Sequence, residues 1–155
     1  MLKRVCFFAF IFLHTALYMW NIEARKHIQD VSLLMQLHNE TVNGTMAEPY
    51  LYRVLVPYVL SPLIDGTPRS YVIAYLLGDT LASMAMLWLL FKWCLVFVSE
   101  TYAMLGVLLV AFTMPLMMNW WFYSVSTPLE VCLWLLGLFC LRHIWDSRSS
   151  SSLPP

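Results

Sequence analysis

Charged residues are scarce in this chain. Only 12% of its 155 residues are Asp, Glu, Lys or Arg, whereas 61% are hydrophobic, and nine basic and nine acidic residues leave no net charge. So little polar surface cannot cover a soluble globule, and a chain without a basic face lacks the electrostatic footprint that nucleic acids require. The composition therefore predicts no nucleic-acid partner and favours membrane lipid as the solvent.

The motifs of soluble enzymes are also missing. The sequence contains no glycine-rich phosphate loop, no nucleophile elbow and no histidine–cysteine set with metal-binding spacing. Its four cysteines all fall inside apolar runs, where we interpret them as small hydrophobic residues. We therefore assign no metal site and no cofactor, and leave open only a divalent cation.

Long apolar runs are what the sequence has instead. They predict an all-α integral membrane protein with about four transmembrane helices, because one span needs roughly 20 mostly apolar residues. The predicted spans cover residues 5–22, 70–91, 101–118 and 124–141. Together they form a single membrane domain, residues 1–146, followed by a serine-rich tail at 147–155 whose composition predicts disorder.

Basic residues predict the orientation of these spans. Lys3 and Arg4 precede the first span, Lys92 follows the second and Arg142 ends the fourth. Since Lys and Arg are concentrated on the cytoplasmic side, both termini are predicted to be cytoplasmic. The first span is predicted to be an uncleaved signal anchor, because no small-residue cleavage site follows it. The loop at 23–69 is therefore predicted to lie on the outer or lumenal side.

The outer loop carries signals for short helices at the membrane surface. Asp30 stands at an N-cap position, before residues with the spacing of an amphipathic helix: Val31, Leu34, Met35 and His38. Pro57 and Pro62 limit the next helical piece to a short, tilted segment. Thr67 and Pro68 then form an N-cap followed by proline in the first turn, which marks the start of the second span.

Two acidic residues fall inside predicted spans. Asp79 lies roughly 13 Å below the start of the second span, so it needs a partner, for which Arg53 is the obvious choice. It is either bonded to a neighbouring helix or part of a polar cavity. Glu130 completes a capping box at 127–130, and alternatively it faces the same outer-leaflet cavity as Asp79.

These features occur in an order that resembles a known family. A signal anchor and Asp30 are followed by Pro-Tyr-x-Tyr-Arg-Val-Leu-Val-Pro at 49–57, and later Thr-Pro-Leu-Glu opens a leucine-rich span. The order resembles the amino-terminal half of the GT-C superfamily of polytopic glycosyltransferases. The resemblance implies transfer of a sugar from a polyprenyl-phosphate carrier at the outer face, with Asp30 as the catalytic carboxylate. Family members have many more spans, so it also implies a chain that is truncated or depends on partner membrane subunits.

The other polar residues of the outer side fit substrate binding. Arg53 offers a planar guanidinium to the leaving phosphate, and Tyr50 and Tyr52 offer rings to the sugar. Three acids complete the predicted substrate-binding set: Glu48, Asp79 and Glu130. The alternatives are simpler, since Asp30 is also explained as an N-cap. The chain as a whole is alternatively a non-catalytic four-span accessory or structural subunit of a larger membrane complex.

Overall fold

A computed structural model of the chain describes residues 2–45, 55–120 and 126–151, and every element within these ranges is helical. The all-α prediction is therefore confirmed for the described residues. The elements are α1 (Leu2–Tyr18), a π-helical turn (Met19–Glu23), α2 (Ala24–Gln29), α3 (Val31–Val42), α4 (Leu55–Leu60), a 3₁₀ turn (Ser61–Leu63), α5 (Pro68–Cys94), α6 (Glu100–Trp120) and α7 (Ser126–Ser151).

Among the described residues, two helical segments are long and apolar enough to cross a membrane. They are Leu2–Asn21 and Pro68–Cys94, and they coincide with the first two predicted spans. The described apolar part of α6, Glu100–Thr113, is shorter. The third and fourth spans therefore stay predictions. Helix α7 continues through Ser151, so its last residues belong to the segment for which the sequence predicts a tail.

Helices α1 and α6 run in the same direction. Near their first residues, the Arg4 guanidinium donates two hydrogen bonds, of 2.7 and 2.6 Å, to the carboxylate of Glu100. Further along, the His14 ring stacks on Phe112 with 4.3 Å between centroids. Two contacts in the same order along both helices define a parallel pair.

Helices α5 and α7 run in the opposite direction to α1. Three contacts show this: Phe8 with Phe91 (5.0 Å between ring centroids), Cys132 Sγ with the Ala82 carbonyl oxygen (3.6 Å), and Phe139 with Trp93 (5.2 Å between centroids). The four long helices therefore alternate in direction along the chain. One end of the bundle collects Arg4, Lys92 and the carboxyl-terminal half of α7.

The interior and the exterior of this bundle are both apolar. Its buried centre includes Ile11, Leu76, Leu87, Val107 and Leu135. Its outward faces carry large apolar side chains that are more than half exposed, including Leu13, Leu81, Leu109 and Trp134. Exposed apolar surface of this extent is typical of contact with lipid or with a partner rather than with water.

The short helices α2, α3 and α4 pack beside the first half of α5. As the sequence predicts, α3 begins directly after Asp30. It buries Leu34 against a second apolar cluster that includes Leu60 and Ala74. A Cβ atom on Gly78 would lie 3.2 Å from Leu60 Cδ2, so the absence of a side chain there lets α4 approach α5 closely. We call α2, α3, α4 and the 3₁₀ turn the loop cap.

The start of α5 follows its sequence signal. Thr67 is the N-cap, and its Oγ1 accepts a hydrogen bond of 3.3 Å from the Ser70 N–H. The Thr67 N–H and hydroxyl in turn donate to Asp65 Oδ1, over 2.9 and 2.7 Å. Hydrogen bonds from the Ser70 side chain and from Thr67 lower the pKa of Asp65 to about 2.

Candidate functional site

A stripe of polar side chains runs along the first half of α5. Tyr71, Tyr75, Asp79 and Ser83 are spaced four residues apart, so they lie on one face of the helix. Each of them is 5% exposed or less. Buried polar groups must find hydrogen-bond partners, and this α5 stripe finds most of them in the loop cap.

His38 of α3 is the centre of the first set of contacts. Its Nδ1 lies 3.0 Å from the Tyr75 hydroxyl, and its Nε2 lies 3.3 Å from Ser61 Oγ. The Ser61 hydroxyl donates a hydrogen bond of 2.8 Å to the Pro57 carbonyl. A hydroxyl has one proton, so Nε2–H must donate to Ser61 while Nδ1 accepts from Tyr75.

The contact with Ser61 requires a proton on Nε2, and the acceptor role of Nδ1 corresponds to a neutral His38, which burial favours. Burial lowers the pKa of His38, because the charged imidazolium would lose its hydration. The proton on Nε2 also means that His38 does not receive the Ser61 proton, so the pair is not arranged as a nucleophile and its base. The three residues instead connect α3, α5 and the 3₁₀ turn through a continuous chain of hydrogen bonds.

Tyr71 strengthens the same connection one turn earlier. Its hydroxyl donates a hydrogen bond of 2.9 Å to Asn39 Oδ1. Its ring and that of Tyr75 both meet the His38 ring edge-on, with centroids 5.1 and 5.8 Å away. Tyr58 adds a further link, because its hydroxyl donates to the Val42 carbonyl over 3.1 Å. The end of α3 is thus held by both α5 and α4.

Asp79 makes the second set of contacts, with α2. Its Oδ2 lies 3.3 Å from His27 Nε2, and the two side chains are only 7% and 12% exposed. The sequence pointed to Arg53, which lies outside the described residues, and missed His27. A signal was present, since Arg25, Lys26 and His27 directly follow the first span and are near enough in the chain to meet a carboxylate within the second.

Asp30 is positioned as the sequence predicts, although its side chain does not cap. It is the N-cap residue of α3, is half-buried, and its backbone carbonyl accepts from the Leu34 N–H over 3.0 Å. Its carboxylate makes no capping hydrogen bond to α3. Asp30 therefore occupies the predicted N-cap position, but its side-chain oxygens do not accept hydrogen bonds from the first N–H groups of α3.

Glu130 lies on the outward face of α7. It borders a shallow hollow of about 300 Å³ together with Leu133, Trp134, Gly137, Leu138 and Leu141. Cys132 contacts α5 and Pro128 is fully buried, and a residue midway between them points the opposite way at 100° per residue. Within the described part of the chain, Glu130 and Asp79 therefore do not share the cavity that the sequence suggested.

The structure does not describe the other four residues of the predicted substrate site. Glu48, Tyr50, Tyr52 and Arg53 lie outside the described residues, so their roles stay predictions. Over residues 2–45, 55–120 and 126–151, no group of three or more His, Cys, Asp or Glu side chains is placed to hold a metal ion.

Comparisons of the chain with protein-family models, with curated proteins and with solved structures found no match in any of the three. Its function must therefore be inferred from its own residues and their arrangement.

Proposed function

We propose that this chain is a four-span membrane protein with both termini in the cytoplasm and the loop at 23–69 on the outer or lumenal side. The alternating directions of the four long helices support this topology, as do the exposed apolar side chains on their outward faces. Arg4 and Lys92 lie at one end of the bundle, as basic residues on the cytoplasmic side would. The loop cap lies towards the other end.

Cysteine labelling tests this topology. In a variant whose four natural cysteines are replaced, Ser32→Cys would place a thiol on the exposed side of α3, and Ser99→Cys would place one between α5 and α6. A membrane-impermeant maleimide applied from the outer or lumenal side of the membrane should label the cysteine at 32, and it should label the one at 99 only when it is applied from the cytoplasmic side. Labelling of both, or the reverse pattern, would contradict the topology.

Within that topology, the function supported best is that of a glycosyltransferase-like protein acting on a polyprenyl-phosphate sugar. The observation that carries the proposal is the position of Asp30, half-buried between α2 and α3 with carboxylate oxygens that its own helix does not use. Such a carboxylate is available to take a proton from an acceptor hydroxyl, or to stabilise positive charge developing on a sugar. Arg53, Tyr50 and Tyr52 are the proposed groups for the phosphate and the sugar.

The second candidate is a non-catalytic subunit of a membrane complex. It is favoured by the His38 contacts, because His38, Tyr75 and Ser61 use their hydrogen-bonding groups on one another and on the backbone. In this candidate the α5 stripe holds the loop cap in place and has no substrate. Asp30 would then be replaceable.

Sugar transfer in native membranes distinguishes the two candidates. Membrane vesicles from cells that depend on the chain are supplied with polyprenyl-phosphate mannose or glucose carrying a radiolabel, and labelled product is measured. Asp30→Asn should reduce transfer at least about 100-fold, because Asn retains the N-cap preference but cannot act as a base. Glu40→Gln, an acid-to-amide change on the same helix, is the matched control and should retain transfer. Equal activity of the Asp30→Asn variant and the wild type would contradict the enzymatic proposal and favour the subunit.

A further inference from the structure

The outward face of α7 combines one acidic side chain with a long run of apolar ones. Glu130 and the five residues that share its hollow recur at intervals of three and four residues, which is one continuous face of a helix. Apart from Glu130, they are leucines, a tryptophan and a glycine. A single carboxylate therefore stands at the head of an otherwise apolar face.

The depth of this carboxylate follows from the packing of α7 on α5. The contact between Cys132 and Ala82 fixes the second turn of α7 beside Ala82. Ten residues, or about 15 Å, separate Ala82 from Lys92 at the end of α5, and Glu130 lies about 3 Å beyond that level. Glu130 is thus about 18 Å from the inner boundary and about 12 Å from the outer boundary of a hydrocarbon core of about 30 Å, too deep for a short side chain to reach water.

The hollow beside Glu130 includes a helical position that carries no side chain. At its centre is Gly137, and nothing lies within 4 Å of the position that a Cβ atom would take there. Leu133, Trp134 and Leu138 also line it. Transmembrane helices approach one another most closely at such small residues, and they pair polar side chains across the contact.

We propose that this face of α7 binds a transmembrane helix of a different protein, and that this helix carries a Lys, Arg or His in its outer half to pair with Glu130. Charge decides between the candidate occupants. Lipid tails offer the carboxylate no partner, and a second copy inserted in the same orientation would bring two Glu130 carboxylates together on parallel α7 helices. A basic side chain on the incoming helix satisfies the charge, and its backbone fits over Gly137. The inference needs only the proposed membrane topology, so it holds for either candidate function.

Photocrosslinking in native membranes tests the proposal. A benzophenone amino acid replaces Leu138 in the hollow, and as a matched control it replaces Leu105 on the exposed face of α6. The adduct formed at 138 should contain a membrane-spanning segment of another protein with a basic residue in its outer half. Glu130→Gln should lower the yield at 138 at least about fivefold, because Gln keeps the size and capping ability of Glu without its charge. The yield and products at 105 should not change.

Four results would overturn the proposal. They are an adduct with lipid alone, an adduct with a second copy, an adduct with this chain's own segment containing Arg53, and a yield that is indifferent to Glu130→Gln. Gly137→Leu, which fills the hollow without changing charge, provides an independent check and should also abolish the adduct. Both variants should melt at the wild-type temperature, so that a lost adduct reports on binding and not on folding. Asp30-dependent sugar transfer is measured separately, so failure here leaves the enzymatic proposal intact.

Discussion

Replacing Tyr75 with Phe should loosen α3 much more than the same replacement at Tyr71, one turn away on the same helix. Both rings are buried, and both hydroxyls donate a hydrogen bond to α3, over 3.0 Å to His38 and 2.9 Å to Asn39. The substitutions remove the same atom from the same environment. What differs is the partner that each of them leaves behind.

The burial of the partner sets the size of each effect. His38 is 4% exposed, so Tyr75→Phe leaves its Nδ1 without a donor and without access to water, which typically costs about 1–3 kcal/mol. Asn39 is exposed, so water replaces the Tyr71 hydroxyl and the loss is about 0.5–1 kcal/mol. Since about 1.4 kcal/mol corresponds to tenfold in an equilibrium constant, Tyr75→Phe should favour opening of α3 about 5- to 150-fold and Tyr71→Phe only about 2- to 5-fold.

Hydrogen exchange of the α3 amides measures this opening directly. The protein is placed in lipid nanodiscs, and the exchange rates of residues 35–42 are compared among the wild type and the two variants. A further variant replaces both partners, His38 with Leu and Tyr75 with Phe. It should recover part of the lost protection, because no buried acceptor then remains. Equal effects of the two single replacements would refute the reasoning, since the hydrogen bond to His38 would then be worth no more than the exposed one.

Three further predictions concern the approach of α4 and the effects of pH on His38 and on Asp65. Gly78→Leu should separate α4 from α5 and increase amide exchange in α4. Gly137→Leu should leave the exchange in α4 unchanged, because the Cβ position of Gly137 is open. Similar exchange in the two variants would contradict the close contact seen at Gly78. Burial lowers the pKa of His38 in the folded protein below its ordinary value of 6.5, so as the pH falls the unfolded chain binds a proton at this imidazole before the folded chain does. The protection of the α3 amides should therefore fall as the pH drops through 6.5. A His38→Gln variant should lose this dependence. Because the pKa of Asp65 is lowered to about 2, its contribution to stability is present above about pH 4 and is lost as the pH falls from about 4 to 2. In thermal melts, the melting temperature of the wild type should therefore fall more over this pH range than that of Asp65→Asn.

Local signals in the sequence were sufficient to predict where helices begin. Asp30 precedes α3 and Thr67 caps α5, because N-cap preferences depend on the few residues around them. The amphipathic spacing correctly predicts a helix after Asp30. Hydropathy likewise identifies the two helical segments that are long enough to cross a membrane, because the total of apolar residues decides that property.

The contacts between distant segments could not be predicted in the same way. His27 and Asp79 are 52 residues apart, and their meeting depends on the direction in which α2 leaves the first span. His38 and Tyr75 meet because α3 turns back along α5, which no local preference specifies. The sequence identified Asp79 as a residue that needs a partner, which burial energetics require. It could not say which of several bases would supply one.

The π-helical turn at Met19–Glu23 controls where His27 points. There the Ala24 N–H bonds to the Met19 carbonyl, five residues back instead of four, so this turn contains in effect one residue more than an α-helix would have. Every position after it is rotated by about 100° compared with an uninterrupted helix. Deleting a single residue from this turn would shift the helical phase and direct the imidazole away from α5. The backbone of this turn therefore sets the direction in which the His27 side chain, the partner of Asp79, projects from α2.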